Sequence, residues 1–228
     1  LVWARREELA ADVVLDAARG LARAGDHRNS LNLAAYLARR RGLAAADLAL
    51  LYPRPWLAEL TRAAADNGLE LSLLSALVRE ESYFDADIVS SAGAVGLAQL
   101  MPETAADVAR QLKIESPDLR DPSTSLRMGA RHLAGLLRRV DAPAKALLAY
   151  NAGLGRVRGW ERAAAGLAPD LLVETVPFEE SRDYVRKIAV SALLYAWVYD
   201  GRDPRETLHW LFPLASWPDP RRPAVGVE

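Results

Sequence analysis

The stretch "LSLLSALVREESYFD", Leu71–Asp85, runs from a leucine-rich turn into two adjacent glutamates. Leucine and alanine at this density favour a helix, and the spacing predicts one from Ser72 to Tyr83. At about 100° per residue, Leu71, Leu74, Leu77 and Val78 form one stripe, with Leu73 at its edge. Glu81 follows Val78 by three positions, Leu77 by four and Leu74 by seven, so it falls near the stripe's centre. Glu80 lies about 100° away, at the margin, where a surface or bracing role is expected. Arg79, Ser72 and Ser75 mark the side expected to face solvent. A carboxyl group among apolar neighbours loses hydration, which favours its protonated form and suits it to general-acid chemistry. The wheel admits a second reading, in which Glu81 is a helix-end residue paired with one of the many arginines.

Directly after this helix comes "SSAGAVGLAQLMP", Ser90–Pro102. Gly93 and Gly96 are expected to let the backbone approach a ligand closely. Ser90 and Gln99 offer neutral hydrogen-bonding groups, a lining that suits a sugar better than an anion. Ordinary turn and cap duty is the alternative for both.

Around this segment the chain is rich in alanine, leucine and arginine and poor in Val/Ile/Thr alternation, which predicts a mainly α fold. Arg5–Arg23 and Asn29–Arg41 read as two helices broken at "AGDH", and so small a pair is expected to need a larger array or a docking surface. "YPRPW", Tyr52–Trp56, is the best candidate boundary. Further helices are expected over Trp56–Asp66, from Pro102, after the Asp121–Pro122 entry, over Lys145–Asn151 and over Arg182–Asp200. The glycines of "NAGLG", Asn151–Gly155, suit a left-handed C-cap. Three regions result: a helical segment over 1–50, a main domain over 51–200 and a Pro-rich tail over 201–228. Within the tail, "LHWLFPLASW" has the apolar content to pack on the domain, and the last stretch is expected to be loose.

A chain of 228 residues can bury a sizeable core. Its net charge of -1 leaves no basic surplus for nucleic acid. The absence of cysteine excludes disulfides, thiolate catalysis and cysteine-ligated metal sites. His27, His132 and His209 stand on separate segments without metal-ligand spacing and are expected to be surface or packing residues, so no metal or other cofactor is expected. "GLG" at 153–155 is too short for a phosphate-binding fingerprint. No apolar run approaches the roughly 18 residues of a membrane span; "IAVSALLYAWVYD" from Ile188 reads as a core helix. The chain opens at Leu1 without a visible signal peptide and reads as a processed protein or a fragment.

Three blocks, in order, carry a family resemblance. "REESYFDADIVSSAGAVGLAQLMPETA", Arg79–Ala105, resembles the glutamate–serine and "GLMQ-MP-TA" signature of the soluble lytic transglycosylases, glycoside hydrolase family 23. "AYNAGLGRVRGW", Ala149–Trp160, is similar to the family's Tyr-Asn-Ala-Gly motif, and "ETVPFEESRDYV", Glu174–Val185, to its "ETIPF-ETR-YV" motif. The resemblance implies a lysozyme-like helical domain with a sugar-binding groove and at most a small β element, preceded here by the end of a helical linker. It puts Glu81 in the place of the single catalytic acid. Ser90 and Gln99 match polar groups of the groove, and Met101 an apolar wall. Tyr150 matches the active-site tyrosine that orients the acid or the sugar, Asn151 shapes that loop, and Glu180 is a second, positioning glutamate. Glu174, Arg182 and Tyr184 are read as braces. Ala98 stands where methionine is common, which is expected to widen a groove wall; Ser181 replaces threonine, Ser125 asparagine and His132 tyrosine, changes expected to concern packing.

The implied reaction cleaves the β-1,4 bond between N-acetylmuramic acid and N-acetylglucosamine in peptidoglycan glycan strands and forms a 1,6-anhydro product. A lysozyme-type hydrolase of the same fold and a non-catalytic peptidoglycan-binding scaffold are the alternatives. The resemblance implies a periplasmic location; no assembly partner can be named.

Overall fold

A computed structural model describes residues 2–213 of the chain. Among these residues the regular structure is helical, with twelve α-helices, two short 3-10 turns and no strand. Two isolated antiparallel bridges, Val89 to Val95 and Val95 to Leu100, form within the glycine-bearing loop. The mainly α expectation, with at most a small β element, therefore holds. None of these helices is long and apolar enough to cross a membrane.

The described residues divide into two compact units. The first takes those up to Ala63 together with Glu81–Gly129; the second takes Ala64–Glu80 and those from Ala130 onward.

The first unit opens with a helical hairpin, α1 (Ala11–Arg23) and α2 (His27–Arg41). Gly25 at φ +83° makes the turn, and Asp26 caps α2 by accepting the Asn29 N–H at 3.1 Å. The first helix starts later than its periodicity suggests, because Ala10 is extended and the residues before it engage aromatic rings. There the Arg6 guanidinium lies 4.3 Å from the Trp3 ring centre and 5.3 Å from that of Tyr36. Val14, Ala18, Leu33 and Leu37 form a buried cluster, with Leu50 of α3 (Leu48–Leu51) packed against it. The cluster is closed by the following helix as well as by the hairpin itself, since Leu43 and Leu50 pack against it. "YPRPW" separates α3 from α4 (Leu57–Asn67), with Trp56 at φ +51°. The strained loop described below follows α5 (Leu71–Ser82), and α6 (Pro102–Leu112) begins with proline at its first turn. Asp121 caps α7 (Pro122–Leu137), accepting the Thr124 N–H at 2.8 Å.

In the second unit, α8 (Pro143–Ala152) is buried from Ala144 through Ala149. Around it pack α9 (Leu154–Ala163), α10 (Pro169–Thr175), α11 (Glu179–Asp200) and α12 (Pro204–Leu211). Lys145, buried in α8, is tied to Asp141 at 2.7 Å and to Glu161 of α9 at 3.0 Å. Gly153 has φ +88° but ψ 140°, so it is not the left-handed cap expected of it; it turns α8 directly into α9. Helix α12 stands within the Pro-rich tail, burying Thr207 and Leu211, with Asp203 as its cap. The part of the tail from residue 214 lies outside the described residues.

Candidate active site

Helix α5 has no solvent side: Ser72 to Val78 are all buried. The exposed side expected of Ser72, Ser75 and Arg79 is therefore absent. Serine is small enough to enter a core, and the wheel could not see that this helix is enclosed all round. The side chains of Arg79 and Glu80 are 11% and 7% exposed and form an ion pair. Ser191 of α11 donates its hydroxyl to Glu80 Oε1 at 2.6 Å, and Arg79 Nη1 donates to Ser191 Oγ at 3.2 Å. Glu80 is thus a buried brace between two helices of the second unit, not a surface residue.

Glu81, half-buried, occupies the last turn of α5. The helix stops one residue earlier than expected, at Ser82, whose hydroxyl accepts the Phe84 N–H at 3.1 Å. Tyr83 and Phe84 then take φ +49° and +61°, a left-handed pair without glycine. Such strain persists only where the surroundings over-determine it. It ends the helix abruptly and leaves Glu81 at its mouth.

The loop beyond is built on its own hydrogen bonds. Ser90 Oγ accepts the Ala94 N–H at 3.0 Å, and the Ser90 carbonyl accepts the Gly93 N–H at 2.9 Å. Gln99 sits at φ +45°, and its amide nitrogen donates to the Ile88 carbonyl at 3.2 Å and the Gly96 carbonyl at 2.9 Å. Turn duty, the alternative left open by the sequence, is thus real for both; Gln99 keeps Oε1 as an acceptor. Gly93, at φ +90°, faces open space. Gly96 does approach a backbone closely, but that of Leu119: a Cβ added at Gly96 would lie 1.9 Å from the Leu119 carbonyl oxygen. Ser125, fully buried, accepts the Ala98 N–H at 3.2 Å, so this departure from the family pattern holds the loop rather than only packing a helix. Ala98 is itself fully buried, so its small side chain cannot widen an open wall. Met101, 42% exposed, stands at the N-cap of α6. Gly96→Ala is expected to cost about 1–3 kcal/mol or more, measurable by denaturant unfolding. Gly93→Ala, with room for the methyl, should cost less; equal losses would refute the steric account.

In the second unit, Tyr150 is half-buried at the end of α8, its ring 4.9 Å from that of His132. Asn151 is exposed, and its Oδ1 accepts the Ser181 hydroxyl at 2.6 Å, joining the end of α8 to the start of α11. Glu180, exposed, lies in the first turn of α11, where a negative charge suits the helix dipole. Phe178, 49% exposed, meets Trp160 edge-on at 5.8 Å, an aromatic pair that the motifs contained but their reading passed over. Of the expected braces, Arg182 donates to the Val176 carbonyl and Glu174 pairs with Arg186.

His132 is a packing residue, set against the Tyr150 ring. Burial, with help from nearby Arg139, pushes its pKa down to about 4. The native state therefore holds it neutral while the unfolded chain titrates near its ordinary value. Its cost is nil above about pH 6.5 and grows as pH falls toward 4, because the unfolded state then binds more protons. His132→Phe is expected to flatten the loss of stability between pH 7 and 4 by roughly 2–3 kcal/mol. Denaturant unfolding of both proteins across that range is the check, and parallel profiles would contradict it.

Comparison with known proteins places this geometry. A family model described as the transglycosylase SLT domain matches residues 60–173, half of the chain, including the first two blocks and stopping where the third begins. The chain belongs to the transglycosylase SLT family. The soluble lytic murein transglycosylase of Salmonella typhimurium is 34% identical over 140 residues, covering 56% of this chain and 21% of that protein. The corresponding protein of Escherichia coli is 36% identical over 127 residues, covering 51% and 19%. Among solved structures, an inactive mutant of lytic transglycosylase Slt from Pseudomonas aeruginosa superposes with a TM-score of 0.76 at 31% identity, over 86% of this chain and 32% of that one. A complex of the 70-kDa soluble lytic transglycosylase with bulgecin A gives 0.74 at 27% identity, over 82% and 30%. This SLT-family chain thus spans about a fifth of the length of these curated relatives.

Proposed function

We propose that this SLT-family chain is a lytic transglycosylase of peptidoglycan. It cleaves the β-1,4 bond between N-acetylmuramic acid and N-acetylglucosamine and leaves a 1,6-anhydromuramoyl end. The observation that carries this reading is the position of Glu81, a half-buried carboxyl group at the mouth of an enclosed helix, within the span that matches the family. Relatives named as murein transglycosylases and a structural neighbour bound to bulgecin A support the substrate class.

Glu81 protonates the glycosidic oxygen as the bond breaks. The acetamido oxygen of the muramoyl sugar attacks the anomeric carbon, standing in for the second carboxylate that most glycosidases use. The ionised Glu81 then takes the proton of the 6-hydroxyl, whose oxygen displaces the acetamido group and closes the anhydro ring. No water is consumed. Holding that hydroxyl in reach gives it an effective concentration beyond that of any external alcohol. Gln99, with its nitrogen committed to the loop, offers Oε1 to a sugar donor. Ser90 keeps the turn in shape, and exposed Met101 supplies apolar contact. By resemblance to the family's motifs, Tyr150, Asn151 and Glu180 take the sugar-orienting roles. A cell-wall substrate implies a periplasmic location.

Digestion of purified sacculi, with the products separated and weighed, is the test. Muropeptides one water lighter than their hydrolysed counterparts support the reading. Hydrated products would make the protein a hydrolase, and binding without products a scaffold.

A further inference from the structure

A second cleft opens in the first unit, and none of the residues proposed above for the reaction lines it. Its volume is about 630 Å³, within the range of small-molecule sites. Helix α2 contributes His27, Asn29 and Asn32; the entry to α4 contributes Trp56; the segment after α5 contributes Asp85 and Asp87. The walls are held in place. Arg28 pairs with Asp85 at 3.0 Å, joining α2 to that segment, and Asp85 Oδ1 accepts the Asp87 N–H at 3.2 Å. The His27 and Trp56 rings meet edge-on at 6.1 Å. Trp56 stands at a left-handed φ of +51°, as does Phe84, at +61°, where the cleft meets the strained turn.

The chemistry of the lining selects a ligand. Asp26, Asp85 and Asp87 outnumber Arg28, so an anion is repelled. Burial, partly opposed by Asp26, lowers the His27 pKa, which favours the neutral imidazole. His27 Nδ1 is buried with no hydrogen-bond partner among the described residues. An indole beside side-chain amides, carboxylates and a neutral imidazole matches a pyranose, with its C–H face for the ring and hydroxyl and acetamido groups for the polar atoms.

We infer that this cleft is a second saccharide site, which takes N-acetylhexosamine units of a glycan strand apart from the place where the bond is broken. The inference rests on the peptidoglycan reading. Phe84 follows Glu81 by three residues, so their Cα atoms are at most about 11 Å apart, a span that a few linked sugars cover. A strand held at two sites dissociates less readily than one held at either. The negative balance favours sugars without anionic peptide stems.

The test is a titration of the N-acetylglucosamine tetramer into the ¹⁵N-labelled Glu81→Gln protein, followed by NMR. The Trp56 indole N–H and the Asn29 and Asn32 side-chain amide resonances are expected to shift and saturate. Asn32→Ala with Asp87→Ala should weaken that response about tenfold or more. Resonances at Trp56, Asn29 and Asn32 that stay put, or Trp56 and Asn29 resonances that respond equally in the double variant, would overturn the inference. Anhydro products from sacculi together with silent cleft resonances would overturn the second site alone. A responsive cleft without such products would sink the proposed reaction and leave the site standing.

Discussion

Glu81→Gln is expected to fold normally and to lose turnover on sacculi by at least about 10²–10⁴-fold. Glutamine matches the shape and much of the hydrogen bonding of glutamic acid, and Glu81 is only half-buried at the end of α5. An amide, however, is far too weak an acid to protonate the glycosidic oxygen and too weak a base to take the proton of the 6-hydroxyl. Both halves of the proposed reaction therefore fail together. Anhydromuropeptide release is the measurement, beside circular dichroism and thermal unfolding of the same sample. Substantial turnover by the variant would remove Glu81 from the mechanism.

Glu80→Ala is expected to act in the opposite way, on stability rather than chemistry. It removes the carboxylate that pairs with Arg79 and accepts the Ser191 hydroxyl, from an Arg79–Glu80 pair whose side chains are 11% and 7% exposed. Breaking one side of a buried pair costs about 3–5 kcal/mol, and the midpoint of thermal unfolding should fall by roughly 10 °C. Glu80→Gln retains an oxygen for the Ser191 hydroxyl and should cost less. The glutamine variant, folded, should keep most of its activity. If the glutamine variants at 80 and 81 lose activity alike, the distinction between the two glutamates collapses. An unchanged unfolding midpoint in Glu80→Ala would show that the brace contributes nothing.

Much of the fold was legible because its signals are local. The Asp26 and Asp121 caps, Pro102 at a first turn and the helix ending near Tyr83 all depend on neighbours within one turn of chain. Helices α9 and α10 were missed because their short, glycine-bearing or proline-started sequences have no strong stripe; both pack on α8. Of the candidate site, the residue types and their spacing were legible, but their surroundings were not. The wheel set Glu81 apart from Glu80 as the more buried acid, whereas the structure encloses the Glu80 side chain and leaves Glu81 half-buried. The roles of Gly96, Ser125 and Ala98 depend on contacts across the loop and on burial, which a residue type cannot announce.

From the sequence alone came a mainly helical chain and an acid in line with α5's leucines. By resemblance came a family and a candidate set of polar residues. Periodicity and motif spacing survive in one dimension, because helix geometry repeats them turn by turn. Tertiary structure decided that Glu80 is the buried brace, that Ser191, 111 positions away, completes it, and that Gly96 is required by Leu119. Such contacts join residues with no fixed separation along the chain, and only folding brings their atoms within hydrogen-bonding or van der Waals distance.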